Sequence, residues 1–505
     1  MPKSIAVLSL LLLAILSTPD SRADEKPNGE LPARVSTHHT MGLNAMGLNG
    51  HRLDYEAVAE TLPVTDAKGN TTAAIFTVSY LTDGENGSAR PVSFVFNGGP
   101  GAASVFLHLG ALGPQILQTP ENGAVPTPPV HLVDNPATWL GFTDLVFVDP
   151  VGTGFSRGKG KEENPDKPFW DVRADIASLG SVIRLWLTRH QRWTSPVWLV
   201  GESYGGFRAA AMAQTLPHDV DVIVKGLVLV SPALDLSALH QTERDLLAAA
   251  FVLPSYAATA AAYDAAPGSG LAEAERFALS DYLVGLANLN GQPSARDPLI
   301  ARVAQIAGVP ADIVRRYRGR IPRHIFAREI RRSHGERISL YDSTVVTPAG
   351  TEGGEEAGGA GDPVLQPAVA AYGTAFNAYL ADALGVHTDQ PYRVLPRDVS
   401  QQWNWEGERR HGTEGLAMSS LEAALLEHPA TKILIANGRY DLVTPYLSSR
   451  WLVDQLEIPA ATRSTIQLRV YDGGHMVYMR PASRSLLAHD AAELYGADEP
   501  SAPAQ

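Results

Sequence analysis

The sequence contains no cysteine among its 505 residues. This absence excludes a small disulfide scaffold, a catalytic thiol and a zinc site built from thiolates. Long apolar runs are also lacking: residues 5–16 fall short of the ~20 that a membrane-spanning helix needs, and no later stretch has that character. The formal net charge of −13 argues against nucleic acid as a partner. The chain must therefore fold around a large hydrophobic core, and one α/β enzyme with an inserted domain fits its length.

The N-terminus has the features of an export signal. Lys3 precedes the apolar run 5–16, and a small-x-small sequence ends at Ala23. These features predict a secretory signal peptide, residues 1–23, with an uncleaved anchor as the alternative. The mature protein is then expected to be periplasmic or extracellular, without stable membrane association, and the alanine, proline and arginine content favours a bacterial source. Residues 24–50 are polar and aperiodic, which predicts a flexible leader.

Residues 197–216 form the pattern around which the rest of the chain is organised. An apolar run at 197–200 predicts a buried strand, and the run 209–216 predicts a helix. Between them lies Gly201-Glu202-Ser203-Tyr204-Gly205, with the spacing G-x-S-x-G, in which a sharp turn presents the serine above the sheet. We therefore predict that Ser203 is a nucleophile; a glycine-rich turn with a serine N-cap is the alternative.

Alternation of strands and helices along the chain predicts an α/β fold with a mostly parallel central sheet flanked by helices. Residues 51–62 and 72–82 alternate as antiparallel edge strands. The other predicted strands are 92–96, 145–148, 197–200, 226–230, 432–436 and 465–471. Alanine-rich helical stretches interrupt them. The predicted division is a core over 51–234 and 396–496, a mainly helical cap over 235–395 with a disordered acidic, glycine-rich loop at 347–362, and a loose tail at 497–505.

A serine needs a histidine to take its proton and an acid to orient that histidine. Asp441 and His475 each follow a predicted strand, and the order Ser, Asp, His is the one expected of α/β-hydrolases. Taken singly, such an aspartate is more often a turn cap and such a histidine ordinary surface. The competing positions, which have less complete strand and loop surroundings, are Asp235, Asp472, His108 and His240.

The glycine-rich stretch after the predicted strand 92–96 is the candidate oxyanion hole. Its sequence is Asn97-Gly98-Gly99-Pro100-Gly101, which is unsuited to either regular element and can bring N–H groups close to a ligand. We expect the donors to be the backbone N–H groups of Gly99 and Tyr204, because one lies in this loop and the other follows the nucleophile.

Taken together, these motifs resemble those of the serine carboxypeptidase family of α/β-hydrolases. The segments that carry the resemblance are FNGGPGAAS at 96–104, DNPATWLGFTDLVFVDPVGTGFS at 134–156, GESYGGF at 201–207, NGRYDLVTPY at 437–446 and GGHMVYMRP at 473–481. The resemblance implies an exported enzyme that releases C-terminal residues from peptides with a free C-terminus, with no metal or other cofactor. The implied site is a triad of Ser203, Asp441 and His475, an oxyanion hole of Gly99 and Tyr204, and a binding site for the substrate carboxylate at Asn97, Gly98 and Glu202.

The sequence departs from the family at one position that bears on the carboxylate site. Family members usually carry a second glutamate where this chain has Ala111. Without that partner we expect Glu202 to ionise more readily, and so a weaker acid optimum and weaker selection for a free carboxylate. Phe96, Ala102 and Tyr478 also differ from the family pattern. An esterase or acyltransferase using the same acyl-enzyme, and a binding protein on an inactive hydrolase fold, therefore stay as alternatives.

Overall fold

The computed structural model describes residues 31–42, 52–82, 90–239, 244–266, 270–289, 293–349, 361–405 and 416–497. The predicted signal peptide, nearly all of the predicted tail and most of the acidic, glycine-rich stretch lie outside these residues. Among the described residues, no helix combines the length and apolar character needed to cross a membrane.

The strands follow one another along the whole described chain. Their bounds are β1 Arg34–Met41, β2 Leu53–Thr65, β3 Thr71–Thr82, β4 Val92–Phe96, β5 Gln115–Leu117, β6 Leu132–Asp134, β7 Asp144–Val148, β8 Arg157–Gly158, β9 Val197–Glu202, β10 Val224–Val230, β11 Glu336–Ile338, β12 Val346–Pro348, β13 Lys432–Gly438 and β14 Ile466–Tyr471. In the part of the chain that is described, ten of them form one sheet, in the order β1-β2-β3-β7-β4-β9-β10-β13-β14 with β8 beside β3.

Helices of very different length connect these strands. Their bounds are α1 Val105–Leu107, α2 Val172–Arg189, α3 Tyr204–Val220, α4 Leu236–Leu239, α5 Leu246–Ala262, α6 Leu271–Phe277, α7 Leu283–Ala287, α8 Pro293–Ala307, α9 Ala311–Arg316, α10 Arg323–Glu329, α11 Leu365–Asp382, α12 Arg397–Gln402, α13 Leu416–Glu427, α14 Tyr446–Asp454, α15 Ala460–Arg463 and α16 Pro481–Tyr495. Five-residue π-helical turns, His108–Leu112 and Ala278–Tyr282, continue α1 and α6.

The mostly parallel sheet predicted from the sequence is confirmed. Strands β7, β4, β9, β10, β13 and β14 pair in parallel, while β1, β2, β3 and β7 pair antiparallel. Every residue of β4, β7 and β9 is buried, as their continuous apolar sequences require of strands covered on both faces. Alternate side chains enter two different cores: Val95 packs on one face of the sheet, Phe94 on the other.

The predicted flexible leader is wrong over its middle part. Arg34–Met41 form β1, which pairs with β2 along its whole length and becomes the edge of the sheet. Sequence patterning does not reveal this strand, because threonine, serine and histidine occupy most of its positions and leave little alternation of apolar and polar residues. Val35 and Met41 nevertheless pack on the core of the main sheet, and pairing with β2 supplies the rest of the stabilisation.

The inserted cap has a core of its own. Side chains from the helices between Leu246 and Glu329 pack together around Phe251, Tyr256 and Phe326. Helix α11 lies inside the predicted cap, yet its Tyr372 and Phe376 pack on the core of the main sheet. The predicted cap boundary at 395 is therefore too far along the chain. The cap also contains a short antiparallel hairpin, β11 with β12, which sequence patterning did not reveal.

Candidate active site

The sharp turn predicted at Ser203 lies between β9 and α3. Ser203 has φ +57° and ψ −123°, a backbone conformation that L-residues rarely adopt. Its N–H donates to the carbonyl oxygen of Val230 at 2.9 Å, which fixes the turn to the neighbouring strand β10. A Cβ on Gly201 would lie 2.0 Å from the carbonyl oxygen of Gly205, so the strand and the helix can approach this closely only with glycine there. These are the features of a nucleophile elbow.

Asp441 and His475 are brought together by the ends of two adjacent strands. Asp441 follows β13 and His475 follows β14, and both side chains are buried. His475 Nδ1 lies 2.8 Å from Asp441 Oδ2. A proton on Nδ1 that is donated to this carboxylate leaves Nε2 with the lone pair that can accept the proton of the serine.

Ser231, which the sequence analysis did not single out, connects the three loops that carry the predicted triad. It follows Val230, the acceptor of the Ser203 N–H, and its hydroxyl donates to the carbonyl oxygen of His475 at 2.7 Å. Its own carbonyl oxygen lies 3.0 Å from the hydroxyl of Thr444, on the Asp441 loop. The elbow and the two loops that carry the base and its acid are therefore tied to one residue at the end of β10.

Thr444 is a second residue that sequence reasoning missed. Its hydroxyl lies 2.6 Å from Asp441 Oδ2 and 3.1 Å from His475 Nδ1. Its N–H, with that of Val443, donates to the other carboxylate oxygen, Oδ1, at 3.0 and 2.7 Å. Asp441 is thus fixed on both oxygens. The only sequence signal for this role is a threonine three residues after the acid.

Electrostatics favour a charged acid beside a basic imidazole. Burial alone would raise the pKa of Asp441, but the charge of His475 and hydrogen bonds from His475 and Thr444 outweigh it and hold the pKa below its usual value. Burial likewise acts to lower the pKa of His475, yet the Asp441 carboxylate and its hydrogen bond raise it above its usual value. The pair is therefore suited to hold an imidazolium during a reaction.

The tip of the cap hairpin, residues 339–345, inserts between the loops of the acid and the base. The carbonyl oxygen of Leu340 accepts from the N–H of Leu442 at 3.0 Å, and that of Tyr341 accepts from the N–H of His475 at 2.5 Å. The Tyr341 ring also packs edge-on against the imidazole, with 5.2 Å between centroids. The cap therefore contributes main-chain contacts that position both loops.

The glycine loop predicted as an oxyanion hole lies directly against the elbow. A Cβ on Gly98 would lie 2.6 Å from the backbone nitrogen of Tyr204 and 2.9 Å from the Cβ of Ser203. Gly99 has φ +102°, which requires glycine. The carbonyl oxygen of Asn97 accepts from Arg208 Nη1 at 2.5 Å, and the same guanidinium pairs with the buried Asp175.

Glu202 is a buried carboxyl group immediately before the nucleophile. Its Oε2 accepts hydrogen bonds from Asn97 Nδ2 at 2.5 Å and from the Tyr478 hydroxyl at 2.7 Å. Burial raises the pKa of Glu202 to about 7, against the lowering effects of His475, Tyr478 and Asn97. Burial therefore disfavours the charged form of Glu202 in this chain. That Glu202 ionises more readily here than beside a second glutamate stays a prediction.

The competing candidates have other surroundings, and His240 lies outside the described residues. His108 is buried in an aromatic cluster, 2.6 Å from the Tyr80 hydroxyl, and burial lowers its pKa to about 3. Asp235 caps a turn by accepting from the N–H of Ser237. Asp472 pairs with Arg480. In the described part of the chain, no group of three or more His, Asp or Glu side chains is arranged to hold a metal ion.

Comparison with known proteins agrees with the motifs. The model of the serine carboxypeptidase family matches residues 66–253, which include the elbow and the glycine loop but neither Asp441 nor His475. Serine carboxypeptidase-like 8 of Arabidopsis thaliana is 28% identical over 140 residues, 27% of this chain and 30% of that protein. Serine-type carboxypeptidase F of Aspergillus niger is 36% identical over 94 residues, 18% of this chain and 15% of that protein. The predicted resemblance to the serine carboxypeptidase family is thereby confirmed.

The extent of these matches is limited. The chain spans about 30% of the length of the first plant relatives that it matches. Among solved structures, a peroxisomal α/β-hydrolase of Saccharomyces cerevisiae is 10% identical with a TM-score of 0.36, over 94% of this chain and 91% of that chain. An esterase, E22, is 13% identical with a TM-score of 0.38, over 91% of this chain and all of that chain. The assignment to the α/β-hydrolase class is based on the sheet order and the elbow.

Proposed function

We propose that this protein is a serine carboxypeptidase that removes C-terminal residues from peptides through an acyl-enzyme. The observation that carries the proposal is Glu202, a buried carboxyl group that directly precedes the proposed nucleophile Ser203 and is hydrogen-bonded to Asn97 and Tyr478. Burial raises its pKa to about 7. An ordinary serine hydrolase needs no acid at this position. A protonated carboxyl beside the scissile bond can donate a hydrogen bond to a carboxylate, which only a C-terminal peptide bond places so near.

The proposed catalytic steps give each member of the triad one role. Ser203 attacks the scissile carbonyl carbon while His475 Nε2 takes its proton, and Asp441 stabilises the imidazolium through the Nδ1–H bond. The backbone N–H groups of Gly99 and Tyr204 are the proposed donors to the oxyanion. The imidazolium then protonates the leaving amine, and water, deprotonated by the same histidine, releases the shortened peptide from Ser203.

The terminal carboxylate of the substrate is assigned to the segment beside the nucleophile. Asn97 and Glu202 are hydrogen-bonded to each other, and Gly98 packs directly against the elbow, where a side chain would not fit. In this arrangement Glu202 donates its proton to the substrate carboxylate, and the N–H of Gly98 provides a second donor. The buried Arg208 holds the carbonyl group of Asn97 and so the orientation of this loop.

An esterase or acyltransferase using the same triad is the second candidate function. Ala111 favours it, because the chain lacks the second acidic side chain that relatives place there. Peptide cleavage and ester cleavage share the acyl-enzyme and differ in how the leaving group is bound. The two functions therefore differ in the carboxylate site, and the triad is the same in both.

Product analysis by mass spectrometry tests the proposal. One peptide is offered with a free C-terminus and as its C-terminal amide, to the wild type and to Ser203→Ala. We expect single residues to be lost from the free acid in preference to the amide, and only by the wild type. Hydrolysis of simple esters without cleavage of either peptide would instead establish the esterase function. Failure of a fluorophosphonate to label Ser203 would leave only a binding role.

We also propose that residues 1–23 direct export and are removed. The support is the lysine, the short apolar run and the small residues before Asp24. Expression of the full chain in a bacterial host should give a periplasmic or secreted protein whose N-terminal sequence begins at Asp24. Recovery of the intact N-terminus in the membrane fraction would favour an uncleaved anchor.

A further inference from the structure

We propose that Tyr478 is a specificity-determining residue of the carboxylate site. By its hydrogen bond to Oε2 of Glu202, Tyr478 keeps the carboxyl proton on Oε1, where it can be donated to the substrate. This inference rests on the proposed function, because a carboxylate site has a role only if the substrate has a free C-terminus. It concerns a residue that belongs to neither the triad nor the oxyanion hole. From the sequence alone, Tyr478 is only a departure from the family pattern.

Two hydrogen bonds to Glu202 distinguish its two carboxyl oxygens. The Tyr478 hydroxyl and the Asn97 amide both donate to the same carboxyl oxygen, Oε2, at 2.7 and 2.5 Å. An oxygen that accepts two hydrogen bonds is the carbonyl-like oxygen of a protonated carboxyl, so the proton resides on the other oxygen, Oε1. Within the described residues no hydrogen bond to Oε1 occurs. Oε1 is therefore the atom that can donate to a ligand.

The amide of Asn97 is itself oriented, which makes the arrangement directional. Its Oδ1 accepts from the N–H of Leu107 at 3.0 Å, so the Nδ2 group must face Glu202. An amide fixed in this way cannot turn to accept a proton from Glu202. The Tyr478 hydroxyl is the one partner that could instead accept a proton from Oε2. The proposal places the phenol proton on the bond to Oε2 and the carboxyl proton on Oε1.

The phenol ring of Tyr478 is rigidly held. It lies on the 3₁₀ turn Val477–Met479, three residues after His475, and is fully buried. Gly110 makes room for it: a Cβ there would lie 2.5 Å from Cε2 of the ring. A side chain larger than that of glycine at position 110 would therefore displace the ring.

Other titratable groups also face Glu202 and must be considered in any pH experiment. They are His475 and Asp441 from the triad loops, Tyr478 from the 3₁₀ turn, Tyr372 from α11 and Tyr341 from the hairpin tip. Tyr372 supplies a matched control. Its hydroxyl contacts Met479 Sδ at 3.1 Å, it is as buried as Tyr478, and no hydrogen bond joins it to Glu202 among the described contacts.

The first measurement follows the proton of Glu202 directly. An infrared pH titration of the protonated carboxyl band, taken as the difference from Glu202→Gln, gives its midpoint in the wild type, Tyr478→Phe and Tyr372→Phe. Because the lost donor stabilises the ionised form more than the neutral form, we expect the midpoint to rise by about one pH unit in Tyr478→Phe only. Equal midpoints in both phenylalanine variants would overturn the proposal.

The second measurement is selectivity. At pH 5.5, below the pKa of about 7 that burial gives Glu202, we expect Glu202 to be protonated in each protein. A change in the ratio of kcat/KM for a free-acid peptide over its amide then reflects where the proton points. We expect this ratio to fall about tenfold in Tyr478→Phe, through KM, and to stay unchanged in Tyr372→Phe. If protonation alone set the selectivity, the ratio would not fall, and that result would also overturn the proposal.

The two readouts separate this inference from the proposed function. If the wild type cleaves neither peptide while the infrared midpoint rises in Tyr478→Phe alone, the carboxypeptidase function fails and the hydrogen-bond role of Tyr478 stands. If the wild type prefers the free acid but both phenylalanine variants behave like it, the function stands and the role of Tyr478 is overturned.

Discussion

The main-chain N–H of His475 donates to the carbonyl oxygen of Tyr341 at 2.5 Å, which joins the proposed catalytic base to the tip of the cap hairpin. The base is thus positioned by its acid through the imidazole and by the cap through the backbone. A displacement of the hairpin would move His475 itself. In the proposed mechanism the cap would therefore help to position the base.

Gly474→Ala tests this connection. A Cβ on Gly474 would lie 2.0 Å from the carbonyl oxygen of Tyr341 and 2.5 Å from the Cβ of Asp342, so the hairpin tip must move away. We expect the free energy of unfolding to fall by about 2 kcal/mol from overpacking. We also expect kcat to fall by roughly 100-fold, as a displacement of about 1 Å at a catalytic group does.

Gly473→Ala is the matched control for this substitution. The atom nearest to a Cβ at that position is the Cα of Val477 at 3.2 Å, a contact that a small shift can relieve. We expect both the rate of ester hydrolysis and the thermal stability to fall strongly in Gly474→Ala. In Gly473→Ala the rate of ester hydrolysis should fall by less than about tenfold. Equal losses would mean that the hairpin does not position the base.

Thr444→Val is expected to weaken the acid–base pair without removing either member. The substitution keeps the shape of the side chain and removes the hydroxyl that lies 2.6 Å from Asp441 Oδ2. A hydrogen bond to a charged group contributes about 1.5–3 kcal/mol, so kcat/KM should fall by at least tenfold. Thr444→Ser retains the hydroxyl and should restore activity to within about threefold. A valine variant as active as the serine variant would contradict the assigned role.

Sequence patterning predicted the parts of the site that depend on local chain order. The elbow at Ser203 and the strand ends before Asp441 and His475 are encoded in short segments, and the parallel core strands end within two residues of their predicted limits. The contributions of Thr444 and Tyr478 could not be predicted, because a hydroxyl acquires its partner only when distant loops meet. Tyr341 acts through a carbonyl group, which leaves no sequence signature at all.

The pH dependence of peptide cleavage should differ from that of amide or ester cleavage. His475 must be neutral to act as a base, and Asp441 raises its pKa above the usual value of 6.5, so every activity should fall as the pH drops through that pKa. A free-acid peptide also needs protonated Glu202, whose pKa is about 7, so its cleavage should decline again above neutrality. We expect a narrow bell near pH 7 for the free acid.

The same measurement on a substrate without a carboxylate is the control. A C-terminal amide or a simple ester does not use the Glu202 proton, so its kcat/KM should rise to a plateau. In Glu202→Gln the alkaline decline with the free-acid peptide should disappear. A sharp optimum at pH 4 to 5 on peptides would mean that His475 is neutral in acid and would contradict the assigned pKa direction.

The backbone strain at Ser203 predicts an effect of substitution on the stability of the fold, separate from its effect on activity. Ser203 is held at φ +57° and ψ −123°, where a side chain costs on the order of 1 kcal/mol and glycine is favoured. Ser203→Gly and Ser203→Ala both remove the nucleophile, but only glycine relieves the strained backbone. Urea unfolding should therefore show Ser203→Gly to be about 1 kcal/mol more stable than Ser203→Ala. Equal or reversed stabilities would show that the elbow is not strained. The expected order means that the fold accepts a cost in stability to present its serine above the sheet.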